Sequence, residues 1–211
     1  MSESETIPTR SMGAQSSSAA GRVAHARRAQ PNGWWGMALF LCAETTLFGT
    51  LLATYFYLDF DSGKWPPVGI KPPSVVLPLV ATGVLLCTSI PMALAARAAN
   101  VGDSRRAWRL IALAVVVQCC YLAAQILLFG HDLGQFSPRD TAYGSIYFTM
   151  LGAHHGHVAL GILINVFVMW RVAAAGLNNY RLIGVRTAAL YWHVVNVLAV
   201  FVVLTQLSPS L

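Results

Sequence analysis

The chain has 211 residues, of which 56% are hydrophobic and only 10% are charged, and its mean hydropathy is +0.58. Water-soluble domains carry roughly 25% charged residues, so this composition excludes one and indicates an integral membrane protein. The formal net charge of +6 does not require a nucleic-acid partner, because membrane topology explains where the basic residues lie.

Residues 1–32 are rich in Ser, Ala and Arg and lack an apolar run, which predicts a disordered, basic cytoplasmic tail. Residues 33–208 are predicted to form an all-α bundle of five transmembrane helices. Pro78 and Pro91 lie inside the second of these and predict kinks. Each apolar run is long enough to span a bilayer, and the five lie at about 34–58, 74–96, 108–129, 143–172 and 187–207.

Basic residues alternate in number from one loop to the next. Eleven of the 14 fall on one side of the predicted bundle, and the other three are Lys64, Lys71 and Arg139. Cytoplasmic loops are enriched in Lys and Arg. The pattern therefore predicts a cytoplasmic N-terminus and a C-terminus on the outer side.

Glu44 is the most informative residue in the chain. It lies ten positions after Trp34, which places it roughly 15 Å deep, near the middle of the bilayer. A charged side chain there costs roughly 2.5 kcal/mol or more, so an ionisable group at this depth is a candidate functional residue. We interpret Glu44 as a protonated, structural carboxyl that contacts a lipid or a partner subunit, and proton exchange stays open as an alternative.

Histidines cluster on the fourth predicted span at a similar depth. His154 and His157 are three residues apart and share a helix face, whereas His155 points elsewhere. Other polar residues at membrane depth lie on the third, fourth and fifth spans, and they are His193, Gln118, Gln125, Asn165 and Asn196.

This polar set admits three interpretations. Glu44, His154, His157 and His193 offer oxygen and nitrogen ligands for a transition metal. The same side chains and amides, including Gln125 and Asn196, suit an interhelical hydrogen-bond network or lipid cleft. A proton pathway would need a series of titratable groups, and one glutamate does not supply it. Diiron bundles use several carboxylates, whereas only Glu44 lies within the predicted spans, so the residues alone favour the hydrogen-bond network over a metal site.

Small residues also mark the fourth span. Gly152, Gly156 and Gly161 recur at near-helical spacing, which predicts a helix that packs closely against its neighbours. The four cysteines lie inside spans without C-x-x-C spacing. We interpret them as small packing residues that form neither disulfides nor metal ligands.

Four motifs in order resemble subunit III of the haem-copper oxidases, in its shorter five-helix bacterial form. The first span carries LF-x-x-x-E-x-x-x-F around Glu44 and is followed by the WPP of Trp65. The segment from Ala142 resembles the family's AYGS and H-x-x-H-V-x-x-G motifs, and the last span begins with YWH at Tyr191. The resemblance covers nearly all of residues 34–207.

The resemblance implies an accessory, non-catalytic subunit of a cytochrome c oxidase in the bacterial inner (plasma) membrane, with no catalytic, cofactor-binding or metal-binding residue of its own. Its partners would be subunit I and subunit II, which hold the haem and copper, together with bound phospholipid. Glu44 matches the family's intramembrane glutamate, which reacts with carbodiimides. The packing and lipid-cleft residues of the family match His154, His157, His193 and Gln125.

The chain departs from the family pattern at several positions, among them His155, which stands where a glycine is usual, and Leu198 to Ala199, where a tryptophan is missing. Leu128 stands where a glutamate is frequent, and Asn196 stands where an aspartate is usual. The parent complex therefore has alternatives, a quinol oxidase or a nitric-oxide-reductase complex. From another class, a stand-alone metal-dependent membrane enzyme remains the competing hypothesis.

Overall fold

The computed structural model describes residues 32–67, 70, 76–175 and 179–208. Its helices are α1 (Asn32–Asp61), α2 (Val76–Cys87), α3 (Ser89–Asn100), α4 (Ser104–Leu133), α5 (Ala142–Ala175) and α6 (Asn179–Leu207). The predicted disordered tail falls almost wholly in residues 1–31, outside the described residues, and Asn32 already begins α1.

Five crossings of a membrane fit these helices, because α2 and α3 together form one apolar stretch of 25 residues, Val76–Asn100. The other four are 26 to 33 residues long, enough for a core of about 30 Å at 1.5 Å per residue. The predicted fold class, an all-α bundle of five transmembrane helices, is confirmed.

A break at Thr88 separates α2 from α3. Pro91 follows three residues later and has no N–H to donate to the carbonyl of Cys87, so the regular helix cannot continue through this point. The predicted kink at Pro91 is therefore confirmed. Pro78 is the third described residue of α2, and residues 71–75 before it lie outside the described residues, so the kink at Pro78 stays a prediction.

Helix α6 lies at the centre of the bundle, where it contacts α1, α2, α3 and α5. Helix α1 lies at the edge and packs only on α5 and α6 among the described elements. One buried cluster, which includes Leu85, Met92, Ile111 and Trp192, fills one half of the bundle. A second cluster, rich in aromatic residues, fills the half toward which α1 and α6 end.

The cysteines do not pack in this core. Cys42, Cys87, Cys119 and Cys120 are all free and exposed. Their interpretation as packing residues is wrong, because each lies on a helix face turned away from the bundle.

Candidate functional site

Glu44 and His157 form a hydrogen-bonded pair where α1 meets α5. The Oε2 atom of Glu44 lies 2.7 Å from Nε2 of His157, and both side chains are largely buried, with 20% and 15% of their surface exposed. Each residue lies near the middle of its helix. The pair therefore lies at mid-membrane depth on the edge of the bundle.

The other ring nitrogen of His157 fixes how many protons the pair holds. Its Nδ1 lies 2.7 Å from the carbonyl oxygen of Ala153, and a carbonyl can only accept, so Nδ1 carries a hydrogen. The bond to Glu44 then needs one further proton, either on the carboxyl or on Nε2. In both arrangements the pair has no net charge, which removes most of the cost of an ionised group in the membrane.

Aromatic side chains enclose this pair. The ring of Phe48 meets His157 edge-on at 5.1 Å between centroids. The hydroxyl of Tyr191 donates to the backbone carbonyl of His157 at 2.9 Å, and the Tyr191 ring stacks on Phe40. The orientation of His157 is thus held from α1, α5 and α6 together.

His154 does not join this pair. It is almost fully buried, and its Nε2 lies 3.4 Å from the hydroxyl of Tyr121 on α4. His155 is also buried and meets Phe129 edge-on. The two histidines predicted to share a face therefore bond to different helices. His155, which was not among the predicted site residues, packs in the interior.

The proposed metal ligands are not gathered into one site. Glu44 pairs with His157 and His154 with Tyr121, while His193 lies half-buried on α6. Across the described part of the chain, no group of three or more His, Cys, Asp or Glu side chains is arranged to hold a metal ion. The hypothesis of a stand-alone metalloenzyme required these side chains to lie together, and they do not.

Asn196 and its neighbour Trp192 hold the break between α2 and α3. The amide nitrogen of Asn196 donates to the carbonyl of Leu85 at 3.2 Å and to Oγ of Ser89 at 2.6 Å. The indole N–H of Trp192 donates to Oγ1 of Thr88 at 2.7 Å. Sequence reasoning included Trp192 only as part of the YWH motif and missed Thr88 and Ser89, although a Thr-Ser pair just before a helix-breaking proline was a usable signal.

Gln125 lies buried on α4 beside a polar cluster at the end of the bundle where α4 ends. There Tyr147 donates to Asp132 at 2.8 Å and Gln206 donates to Tyr147 at 3.5 Å. A cavity of about 30 Å³ lies between these residues and Gln125, enough for about one water molecule. Elsewhere between α5 and α4, the buried amide of Asn165 donates to that of Gln118 at 3.0 Å.

The three glycines of α5 differ in their surroundings. A Cβ on Gly161 would lie 2.8 Å from the ring of Trp192, so α5 and α6 approach closely here. A Cβ on Gly152 would only touch Phe129, at 4.0 Å. Gly156 is exposed and a Cβ there would meet nothing within 4 Å. The prediction of close packing is therefore wrong for Gly156 within this chain, because that residue faces outward.

Comparison with known proteins gives one consistent result. A family model described as cytochrome c oxidase subunit III matches residues 14–207. Cytochrome c oxidase subunit 3 of Bacillus subtilis (strain 168) is 31% identical over 173 residues, which are 81% of this chain and 83% of the relative. The protein of the same name from Thermostichus vulcanus is also 31% identical, over 77% of this chain and 80% of its own length. A probable quinol oxidase subunit 3 of Staphylococcus haemolyticus (strain JCSC1435) is 29% identical, over 81% and 84%.

Proposed function

This chain belongs to the cytochrome c oxidase subunit III family, and on that premise we propose that it is the accessory subunit of a cytochrome c oxidase. The complex reduces oxygen to water with electrons from cytochrome c and pumps protons in aerobic respiration. This chain supports the catalytic subunit and holds phospholipid, and it carries no redox centre of its own.

The observation that carries this proposal is how the intramembrane polar residues are used. Glu44 is neutralised by His157, Asn196 supports a helix break, and His154 bonds to Tyr121. Each is engaged in a contact between helices of this chain. Such a set stabilises a bundle and leaves redox chemistry to haem and copper in partner subunits.

Subunit I and subunit II are the partners we propose, and the bacterial plasma membrane is the location. Support for the orientation comes from the arginines at the end of the bundle where α3 and α5 end, where Arg97, Arg105 and Arg109 are exposed. By the positive-inside rule this end faces the cytoplasm. The N-terminus then lies inside and the C-terminus outside.

Purification of the native complex tests the assignment. The chain is tagged at its C-terminus, the membranes are solubilised in a mild detergent, and the tagged material is separated by size. We expect haem absorbance, a copper-bearing subunit and this chain to elute together. A chain that never elutes with a haem-bearing subunit would contradict the proposal.

The electron donor has a second candidate, because one relative is named a probable quinol oxidase subunit 3. The same purified complex decides between them. Oxygen consumption with reduced cytochrome c and not with a quinol supports the cytochrome c oxidase. The opposite result would assign the chain to a quinol oxidase and leave its accessory role unchanged.

A further inference from the structure

A stripe of polar side chains runs along the face of α4 that meets α5. Gln118, Tyr121, Gln125 and Asp132 are spaced three, four and seven residues apart, which places them on one side of the helix. The first three are buried, with at most 6% of their surface exposed. Polar groups at membrane depth typically face the bundle interior or a water-filled space. This stripe is separate from the pair of Glu44 and His157, which lies between α1 and α5.

Near the end of α4 the stripe meets polar side chains of α5 and α6. Tyr147 donates to Asp132 at 2.8 Å and accepts from Gln206 at 3.5 Å. The side chain of Asp132 is 23% exposed, so the stripe reaches the surface of the bundle here. The cavity of about 30 Å³ is lined by these three residues and by Gln125, and it has room for about one water molecule. A water there would contact both the surface group and the buried amide.

Deeper in the bundle the stripe leads to His154. The side chain of Gln125 hydrogen-bonds to the hydroxyl of Tyr121, and that hydroxyl lies 3.4 Å from Nε2 of His154. His154 is only 2% exposed, and its other ring nitrogen, Nδ1, has no hydrogen-bond partner among the described residues. A buried polar atom without a partner is costly. A water molecule at Nδ1 would supply the missing hydrogen bond.

The bond between Asn165 and Gln118, one turn further along α4, has the same shortage. It uses one donor of Asn165 and the side-chain oxygen of Gln118. Within the part of the chain that the structure describes, Nε2 of Gln118 and Oδ1 of Asn165 are buried and unpaired. One water satisfies both, because it accepts from the first and donates to the second. An apolar molecule would satisfy neither, and an ion would bring an uncompensated charge into the membrane.

We infer that the interface of α4 and α5 holds a file of exchangeable water molecules, which enter beside Asp132 and reach His154. One of them occupies the cavity at Gln125, and another bonds to Nδ1 of His154. The file allows a histidine at mid-membrane depth to exchange its ring hydrogen with the aqueous phase at the end of the bundle where α4 ends. The inference does not depend on the Glu44 pair, on the partner subunits or on the electron donor.

Hydroxyl-radical labelling of the full-length chain in detergent tests this inference. A brief X-ray pulse converts water to hydroxyl radicals, which oxidise the side chains beside each water molecule, and mass spectrometry of peptides locates the oxidised residues. Tyr121 and Tyr147 report on the file. Trp192 is the control for a dry interior, because it is fully buried and its indole N–H already bonds to Thr88. His131, whose side chain is 67% exposed, reports on bulk water.

We expect Tyr121 and Tyr147 to be oxidised although they are only 6% and 2% exposed, whereas Trp192 stays at the level of the sample that receives no X-rays. Mixing with heavy-oxygen water just before the pulse should place heavy oxygen on Tyr121, because the file exchanges with the bulk. Oxidation of Tyr121 no greater than that of Trp192 would overturn the file. Oxidation of Tyr121 without heavy oxygen would overturn its connection to the surface.

Two variants of neighbouring leucines test the route. Leu128 lines the cavity, so L128F fills the space for water and removes no polar group. L127F is the matched control, because Leu127 is the preceding residue on the same helix and is 75% exposed. We expect oxidation of Tyr121 to fall to the level of Trp192 in L128F and to stay at the wild-type level in L127F. Full oxidation of Tyr121 in L128F, or an equal loss in both variants, would contradict the route.

A further variant keeps the test decisive if L128F does not fold. Q125L has a side chain of similar size and removes the polar group between the cavity and Tyr121. With elution volume and helical circular dichroism unchanged, we expect Tyr121 to be protected while Tyr147, on the surface side of the substitution, is still oxidised. Continued oxidation of Tyr121, or its protection together with Tyr147, would refute the inference.

Discussion

At the scale of single residues, the pairing of Glu44 with His157 explains how a carboxyl persists at mid-membrane depth. The backbone carbonyl of Ala153 fixes a hydrogen on Nδ1 of His157, so the bond at Nε2 works with either a carboxylic acid and a neutral ring or a carboxylate and an imidazolium. Both forms are neutral overall. A protonated Glu44, as expected from the sequence, is one of these two forms.

Two substitutions of Glu44 distinguish the contribution of its hydrogen bond from that of its ionisable group. Glu44→Gln keeps a donor for Nε2 of His157, so the amount of chain retained in the complex and the activity over many turnovers should stay close to wild type. Glu44→Ala leaves Nε2 without a partner and should destabilise the complex by about 1–2 kcal/mol. Thermal unfolding of the purified complex and prolonged oxygen consumption measure both effects.

Thr46→Ala is the control for this comparison, since Thr46 is exposed on the same helix and its hydroxyl bonds only to the carbonyl of Cys42. It should behave as wild type. If Glu44→Ala had the same unfolding temperature and the same prolonged oxygen consumption as the wild type, the proposed structural role of the pair would be refuted.

Asn196 uses its amide as a donor twice, and a carboxylate cannot do so. Asn196→Asp should therefore lower the stability of the chain by about 2 kcal/mol, although an aspartate is usual here in the family, because Leu85 O would lose a donor. Asn100→Asp makes the same chemical change at an exposed site and should have little effect. The midpoint of thermal unfolding in detergent gives the comparison, and equal midpoints for Asn196→Asp and wild type would contradict it.

The sequence could single out Glu44 and His157, because polar residues stand out in apolar spans, but it could not pair them. Pairing depends on how α1 and α5 are rotated about their axes. His154 and His157 are only about 60° apart around one helix, and that difference is enough to direct one toward Tyr121 on α4 and the other toward Glu44 on α1.

At the scale of elements, α5 and α6 approach each other closely at Gly161 because this residue has no side chain. The ring of Trp192 lies where a side chain at this position would begin, and the same ring is held by its bond to Thr88. Trp192 therefore cannot move aside without losing its hydrogen bond to Thr88 at the break between α2 and α3. A glycine pattern alone cannot reveal this, because it does not tell which glycine faces a neighbour.

Two glycine substitutions test this packing. Gly161→Ala would place Cβ 2.8 Å from Trp192 and should destabilise the chain by about 1–3 kcal/mol. Gly156→Ala is the matched control on the same helix, where the new methyl group meets no atom within 4 Å and the gain in helix propensity of up to about 1 kcal/mol remains. Denaturant or thermal unfolding in detergent measures both, and a Gly156→Ala loss as large as that of Gly161→Ala would contradict the contact.

At the scale of the whole molecule, length and apolar composition were enough to predict the five crossings. Four of the five lie within about four residues of their predicted positions, whereas α6 begins at Asn179, eight residues before its predicted span. The helices extend past the apolar runs because polar ends such as Asp61 and Arg105 remain helical. The division of the second crossing into α2 and α3 followed from Pro91. The central place of α6 could not be predicted, since its apolar content is similar to that of the other spans.

Reporter fusions test the orientation that the arginines predict. Alkaline phosphatase, which is active only outside the cytoplasm, should be active when fused after Leu133 and inactive when fused after Asn100, because the basic loops stay inside. The two fusion points lie at opposite ends of α4, so each controls for the other. The reverse pattern of activity would overturn the proposed topology.

A respiratory membrane carries a voltage, and the pair of Glu44 and His157 lies within that field. Moving one elementary charge across the whole bilayer changes the energy by about 2.3 kcal/mol per 100 mV. A proton that passes between the two residues moves at most 2.7 Å, less than a tenth of a core of about 30 Å. A swing of 100 mV therefore shifts this proton equilibrium by only about 0.2 kcal/mol. The membrane voltage therefore has almost no effect on the proton position in this pair, so its hydrogen bond persists whether the membrane is energised or at rest.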